Sequence, residues 1–339
     1  MDFSMAEWIV QSPPSLAFNH NARLPDDEPT SELALTIARP LWFLSHDSWH
    51  LYQPEMTPSC AAMTNLEAIF ETFMSMLKCW GDTGSNGFIH HMLYKHGMPA
   101  ALQDALVIFV SYTAASPSMK STILQIADER ANILVQRPMP SAQEDLDKIR
   151  SQLAHLHALY VLILIRLLDG SVRFRASAER QISILRTWLR ELRKTASSYN
   201  GRSRTHDTDT GTIGQSVDAT AIWLAWTVIE SVRRTLLVVQ TTANVYRCMT
   251  VGHATCDGAV MITAHRGLFE ASTSAKWLEL CNSVREPLFV PPLQASSWML
   301  EHSSADVDDF AIAYWSHFVE PDTMKCWIDR GQCSQAVGA

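Results

Sequence analysis

Residues 146–192 constrain this chain more than any other stretch. Leu146, Ile149, Leu153, Leu156, Tyr160, Ile163 and Leu167 recur at alternating intervals of three and four, which aligns them on one stripe of a helix. Asp169 and Gly170 break the pattern, and Ile182, Leu185, Leu189 and Leu192 resume it. Arg173, Arg175, Arg180, Arg186, Arg190 and Arg193 fall mostly off that second stripe, as residues of an outer face do. The spacing predicts two antiparallel helices joined at Asp169 and Gly170, with an apolar seam that has to be buried.

A seam of this length needs a body around it, and 339 residues suffice for a sizeable core. Hydrophobic residues make up 47% of the chain and glycines number only 13, while helical spacing recurs and strand-like alternation is scarce. The expectation is an all-α protein: one large multi-helix domain over residues 59–331, a tail at 1–58 and a short tail at 332–339. The first tail carries prolines at 13, 14, 25, 29, 40, 54 and 58 and an acidic knot at Asp26, Asp27 and Glu28, a composition that holds no long helix and is poorly ordered. Two aromatic islands interrupt it, one at Leu41, Trp42 and Phe43 and one at Trp49, Leu51 and Tyr52. Docking on the folded body is the expected fate of rings so close to a domain.

Charge and cysteine usage narrow the function. A net charge of −8 argues against a chain that coats nucleic acid along its length. Residues 166–204 nevertheless hold ten basic residues against three acidic ones. The ordinary reading is a solvated helix face whose arginine stems cover apolar surface; a phosphate-binding face is the alternative. Cysteines stand at 60, 79, 248, 256, 281, 326 and 333, odd in number, widely spaced and without a CxxC. That pattern encodes neither a disulfide framework nor a zinc site, and reduced, mostly buried thiols are expected. The N-terminus lacks the basic start and apolar core of a signal peptide, and the uncharged apolar run 158–165 is too short to span a bilayer before Arg166. An intracellular soluble chain is expected.

The remaining elements follow from spacing and punctuation. Leu66, Ile69, Phe70, Phe73, Met76 and Leu77 predict a helix that Gly81 and Asp82 end. His90, His91 and His96 come next without an HExxH or a carboxylate partner, so surface or capping histidines are expected rather than a metal site. Helices are predicted over 102–112 and 123–135, separated at Ser116 and Pro117 and closed by Pro138 and Pro140. Ser141 with Glu144 reads as a capping box for the hairpin, and 195–216 reads as a loop. Beyond the next long helix, 275–280 is helical, Pro287, Pro291 and Pro292 mark a turn, and Asp306, Asp308 and Asp309 precede a final helix with Phe310, Ile312, Tyr314, Trp315 and Phe318.

The long helix over 217–246 carries the second distinctive pattern. Trp223, Trp226, Glu230, Arg234 and Leu237 share one face with Arg233 beside them, and Glu230 precedes Arg234 by four, the favourable order for a pair within a helix. Such a stripe is either an internal ion pair that fixes packing or a ligand- or partner-binding face made of Trp223, Trp226, Glu230, Arg233 and Arg234. Elsewhere there is no GxSxG, no P-loop, no dinucleotide fingerprint and no zinc ribbon. Cys248 and Ser231 are candidate nucleophiles that nothing in sequence pairs with a base. No catalytic, cofactor-binding or metal-binding residue is therefore assigned.

Six ordered blocks carry a family resemblance: GFIHHMLY at 87–94, MPAALQDAL at 98–106, LAHLHALYVLILIRLLDGSVRFRASAERQISILRTWL at 153–189, WLAWTVIESVRRTLLV at 223–238, RGLFEASTSAKWLEL at 266–280 and VDDFAIAYW at 307–315. Together, over 87–327, they resemble the regulatory region of fungal binuclear zinc-cluster transcription factors, in the branch that often sits in secondary-metabolite gene clusters. The resemblance implies an all-α regulatory domain, a nuclear location, other transcription factors or co-regulators as partners, homo-oligomers as a further option, and no catalytic residue. Two hairpin positions depart from the family: Leu168 stands where an aromatic is usual and Ser171 where an acid is usual. Six closely spaced cysteines normally bind two zinc ions in such factors, whereas only Cys60 precedes the first core helix here. Action through partners, without a zinc cofactor or sequence-specific DNA binding from this chain alone, is the expectation. The alternative is a small-molecule-binding or enzymatic helical protein that reuses the regulatory fold, with a closed apolar pocket lined by Trp223, Trp226 and hairpin residues.

Overall fold

A computed structural model describes residues 39–54, 66–141, 145–169, 171–199, 219–283 and 289–337. Two 3-10 turns, Arg39–Leu44 and His46–Trp49, lead into ten α-helices among the described residues. These are α1 Leu66–Thr83, α2 Ala100–Ala114, α3 Pro117–Val135, α4 Asp145–Leu168 and α5 Val172–Ser197. They continue with α6 Ala219–Val251, α7 Ser274–Ser283, α8 Ala295–Glu301, α9 Asp309–Trp315 and α10 Pro321–Val337. The only sheet among the described residues pairs β1, Ile262–Thr263, antiparallel with β2, Phe289–Val290. The all-α expectation holds.

α4 and α5 form the hairpin, but α4 is more than one face of a seam. Every residue from Leu156 to Leu167 is buried, because α2 and α3 pack on α4 as well as α5 and α6. A helix apolar all round belongs in the centre of a body, and this one is long and apolar enough to cross a membrane by length and composition while lying almost wholly inside the fold. The apolar run 158–165 understates that length, since Arg166 continues the helix from within the core. Asp145 and Asp147 in the first turn suit the helix dipole. Glu144 of the expected capping box and Gly170 of the hairpin break lie outside the described residues. Asp169 supplies the turn chemistry instead: its carboxylate accepts from the Ser171 amide at 3.1 Å and the Tyr112 hydroxyl at 3.3 Å, and its carbonyl accepts from Arg175 at 3.1 Å.

Arg166, counted in the basic run, does not face solvent. Its guanidinium is fully buried and donates to the Leu162 carbonyl at 2.7 Å, to Asp128 of α3 at 2.5 Å and to Gln181 of α5 at 2.5 Å. Gln181 donates to Asn132 at 2.8 Å, and Asn132 donates back to Asp128 at 3.3 Å, so one polar ring ties three helices together. Burial lowers the Arg166 pKa to about 10, against the pull of Asp128.

Several boundaries differ from the sequence reading. α1 runs past Gly81 to Thr83 and is ended by Gly84, whose φ of 80° and amide bond to the Trp80 carbonyl at 2.8 Å make it the left-handed cap. Pro117 opens α3 in its first turn instead of standing between helices. α5 continues through Ser197 into the expected loop. Phe318 falls beyond the end of α9, which is not the last helix, because α10 follows. Among the described residues the thiols are less buried than expected: Cys79 and Cys326 are exposed, Cys256 is half-buried, Cys281 is buried, and Cys248 is disulfide-bonded.

The polar ring makes a clear prediction. Asp128→Ala leaves the Arg166 charge buried without its carboxylate and is expected to cost about 3 kcal/mol in urea unfolding. Adding Arg166→Met should recover most of that loss, because an apolar side chain of similar length restores packing without an orphaned charge.

Candidate functional site

α6 is the second all-round buried helix, and it carries three charged side chains with no solvent exposure, Glu230, Arg233 and Arg234. Charges in such a place persist only if they are satisfied, and consecutive helical residues project about 100° apart, so Arg233 and Arg234 leave α6 toward different neighbours.

Arg234 reaches into the C-terminal half of the chain. Nε donates to Glu230 Oε1 at 3.2 Å, Nη1 to the Gly87 carbonyl at 2.9 Å, and Nη2 to the Thr263 carbonyl at 2.7 Å and to the Asp308 carboxylate. Its guanidinium also lies over the rings of Phe269, at 3.9 Å, and Phe310, at 4.8 Å. Asp308 caps α9 by accepting from the Ala311 amide at 2.9 Å, while Glu230 Oε1 accepts from the Thr263 amide at 2.8 Å. One guanidinium thus ties α6, β1, the loop after α1 and the start of α9. Burial pushes the Glu230 carboxyl up against the opposing pull of Arg234 and Arg233, and the paired carboxylates hold Arg234 above its usual value in spite of its own desolvation.

Arg233 reaches the opposite way, into the N-terminal turns. It donates to the Ser48 carbonyl at 3.1 Å, the Phe43 carbonyl at 2.9 Å and the Ser48 hydroxyl at 2.6 Å, and lies over Trp49 at 4.5 Å and Phe289 at 4.8 Å. Burial lowers its pKa to about 10. Phe43 and Trp49 are buried, and Trp42 packs edge-on against Phe289 at 3.7 Å. The aromatic islands dock, as their composition suggested, and a buried charge is the peg.

The two indoles of the stripe are also buried. Trp226 sits 5.4 Å from Trp277 and 6.3 Å from Phe269, and Trp223 lies 6.2 Å from His90. The structure therefore brings Trp223, Trp226, Glu230, Arg233 and Arg234 into one interior, filled by the chain's own side chains and backbone. Gly87 belongs to this interior although nothing in its sequence context marked it. A Cβ there would stand 2.6 Å from Phe310 Cδ2, so only glycine lets its carbonyl approach Arg234.

The other candidates separate. His90 is buried and stacks on His91 at 4.2 Å, whereas His96 is exposed, and among the described residues no group of three or more His, Cys, Asp or Glu is placed to hold a metal ion. His157, which the sequence reading passed over, is fully buried between the Tyr94 hydroxyl at 3.0 Å and the Thr235 hydroxyl at 2.8 Å. Burial lowers both His90 and His157 to about 3. Ser231 is sealed inside α6 with no hydrogen-bond partner for its hydroxyl among the described residues, and Cys248 is committed to its disulfide. A sulfur held in a disulfide is no thiolate, and a buried hydroxyl without a partner among the described residues is not activated.

Trp223 and Trp226 pack among the chain's own rings. A cleft of about 420 Å³ lies elsewhere, between α5 and α6, lined by Leu51, Arg186, Leu189, Arg190, Arg193, Leu236, Leu237, Gln240, Asp257, Ala259 and Val260. Part of the basic run faces this cleft, while Arg202 and Arg204 fall outside the described residues.

With this geometry in view, likeness to known proteins becomes informative. No family model matches the chain, and no solved structure does. Over 223 residues, 66% of this chain, it is 25% identical to a protein described as transcription factor gsfR2 of Penicillium aethiopicum. The likeness points to transcription-factor-like proteins. The aligned region covers 52% of that relative, so the chain spans about half its length.

Two predictions follow from the buried charges. Arg234→Met strips the partner from two buried carboxylates and is expected to cost about 4 kcal/mol in urea unfolding. Arg233→Met leaves only carbonyls and a hydroxyl unpaired, so it should cost less than Arg234→Met and mainly expose residues 39–54 to limited proteolysis. The buried histidines set an acid limit. An unfolded histidine gains its proton near pH 6.5 and these two, when folded, only near 3, so stability falls as pH drops through that window, by about 1.4 kcal/mol per pH unit for each. His157→Gln should flatten the decline in melting temperature measured between about pH 7 and pH 5.

Proposed function

We propose that the chain is a transcriptional regulator or co-regulator of a fungal secondary-metabolite gene cluster, acts in the nucleus through other transcription factors or co-regulators, and is not an enzyme. The observation that carries this reading is the likeness over 223 residues to a protein described as a transcription factor. The stripe from Trp223 to Arg234, the most chemically suggestive in the sequence, is buried among the chain's own side chains, which suits a structural part for it. Exposed apolar side chains at Val107, Met119, Ile126 and Ile133 on α2 and α3 offer surface for a protein partner or a second copy.

Base reading is assigned to the partner in this proposal. These 339 residues contain no run of six closely spaced cysteines, and Arg166 of the basic run is consumed in the core. What basic surface remains would give weak, salt-sensitive DNA contact.

The test is a reporter assay in a fungal host with the chain fused to an unrelated DNA-binding domain, beside transcript measurement after deletion of the native gene. Expected outcomes are a several-fold change in the reporter and coordinated change in a contiguous set of biosynthetic genes. No change in either would sink the regulatory reading. Sequence-specific promoter binding by the purified chain at about 0.15 M salt would overturn the assignment of base reading to a partner.

A further inference from the structure

The cleft between α5 and α6 has a composition that packing alone does not explain. Arg186, Arg190 and Arg193 occupy positions i, i+4 and i+7 of α5, so their guanidiniums line one wall. Arg186 is steered by Asn244 of α6 at 2.7 Å, and Arg190 donates to the Thr187 hydroxyl at 3.1 Å. Among the described residues none of the three has a carboxylate within ion-pair distance, in a chain whose acidic residues outnumber its basic ones. Three like charges held side by side repel one another, and low-dielectric walls concentrate their field on whatever enters.

Those walls are apolar. Leu189, Leu236, Leu237, Ala259 and Val260 form the interior, with Leu51 from the docked N-terminal segment. The Tyr52 and Ala259 backbones bridge at 2.8 and 2.9 Å and close this side, with Gly258 at a φ of 86° allowing the approach. A volume of about 420 Å³ lies in the range of small-molecule sites. Asp257 also lines the cleft, which disfavours a second negative charge on the occupant.

We propose that this cleft is a binding site for a small amphipathic monoanion, a carboxylate on an aliphatic or aromatic body, with the carboxylate held by Arg190 and Arg193 beside Arg186 and the body set against the leucines. Guanidinium forks match carboxylates in geometry as well as charge, and the leucine wall supplies what a purely ionic patch lacks. The site joins α5, α6 and the N-terminal segment through Leu51, so an occupant would bear on how firmly that segment is held. Binding itself does not rest on the transcriptional reading.

The probe is 1-anilinonaphthalene-8-sulfonate, two apolar ring systems bearing one anionic group, titrated by fluorescence into the folded full-length chain and then displaced with decanoate, decanol or inorganic phosphate. The expected result is saturable one-site binding that decanoate reverses and that decanol and phosphate reverse at least about tenfold less effectively. The exposed Arg190 and half-buried Arg193 permit a paired Arg190→Gln and Arg193→Gln variant, which should lose about tenfold in affinity with an unchanged melting temperature. Gln240→Trp, which fills the cleft and leaves all three arginines in place, should abolish binding. Non-saturable binding, equal competition by phosphate and decanoate, or affinity within twofold of wild type in the paired variant would overturn the proposal. A silent reporter in the fusion assay with intact probe binding would instead count against the regulatory reading alone.

Discussion

Two adjacent guanidiniums inside one helix hold segments from before and after it in the chain to α6. Arg234 gathers Gly87, Thr263 and Asp308 on one side of α6, and Arg233 gathers Phe43 and Ser48 on the other. Each makes several charge-assisted bonds in a buried interior, where a missing partner is costly and a full set is geometrically demanding. Apolar burial by α4 and α6 provides the bulk of the driving force, but it is non-directional. The arginines supply direction, because a planar fork donates to carbonyls and carboxylates only at defined angles. With Arg166 clamping α3, α4 and α5, three buried guanidiniums orient most of the long helices.

Much of this is legible in the sequence. The hairpin of α4 and α5 follows from three-four spacing, α6 from its own stripe, and the Glu230 and Arg234 pair from a separation of four. What escaped was everything fixed by distant chain. The partners of Arg233 lie 185 and 190 residues away and are mainly backbone oxygens, which no residue pattern announces. The close neighbour that demands glycine at position 87, Phe310, is likewise remote in sequence. α10 went unseen because its apolar stripe is only Met324, Trp327 and Ile328, too short to stand out in a largely polar segment. The α5 and α6 cleft was hidden for the same reason as the Arg233 peg, since several separate segments build its walls.

The arginine run shows how one compositional feature divides in three dimensions. Arg166 turns into the core, Arg175 closes the hairpin turn, Arg186, Arg190 and Arg193 border the cleft, and Arg173 and Arg180 remain at the surface. A count of charge along the chain averages over these fates, because helical periodicity sends neighbours in sequence to different environments.

The contacts of Arg233 also bear on how this protein can diverge. Its acceptors in the N-terminal segment are the carbonyls of Phe43 and Ser48, which any amino acid supplies, together with the single Ser48 hydroxyl. Selection on that attachment therefore acts on chain path more than on side-chain identity. At the acceptor positions the fastening tolerates change so long as the chain keeps its path, whereas the rings of Phe43 and Trp49 and the arginine that receives the segment are held by their own packing.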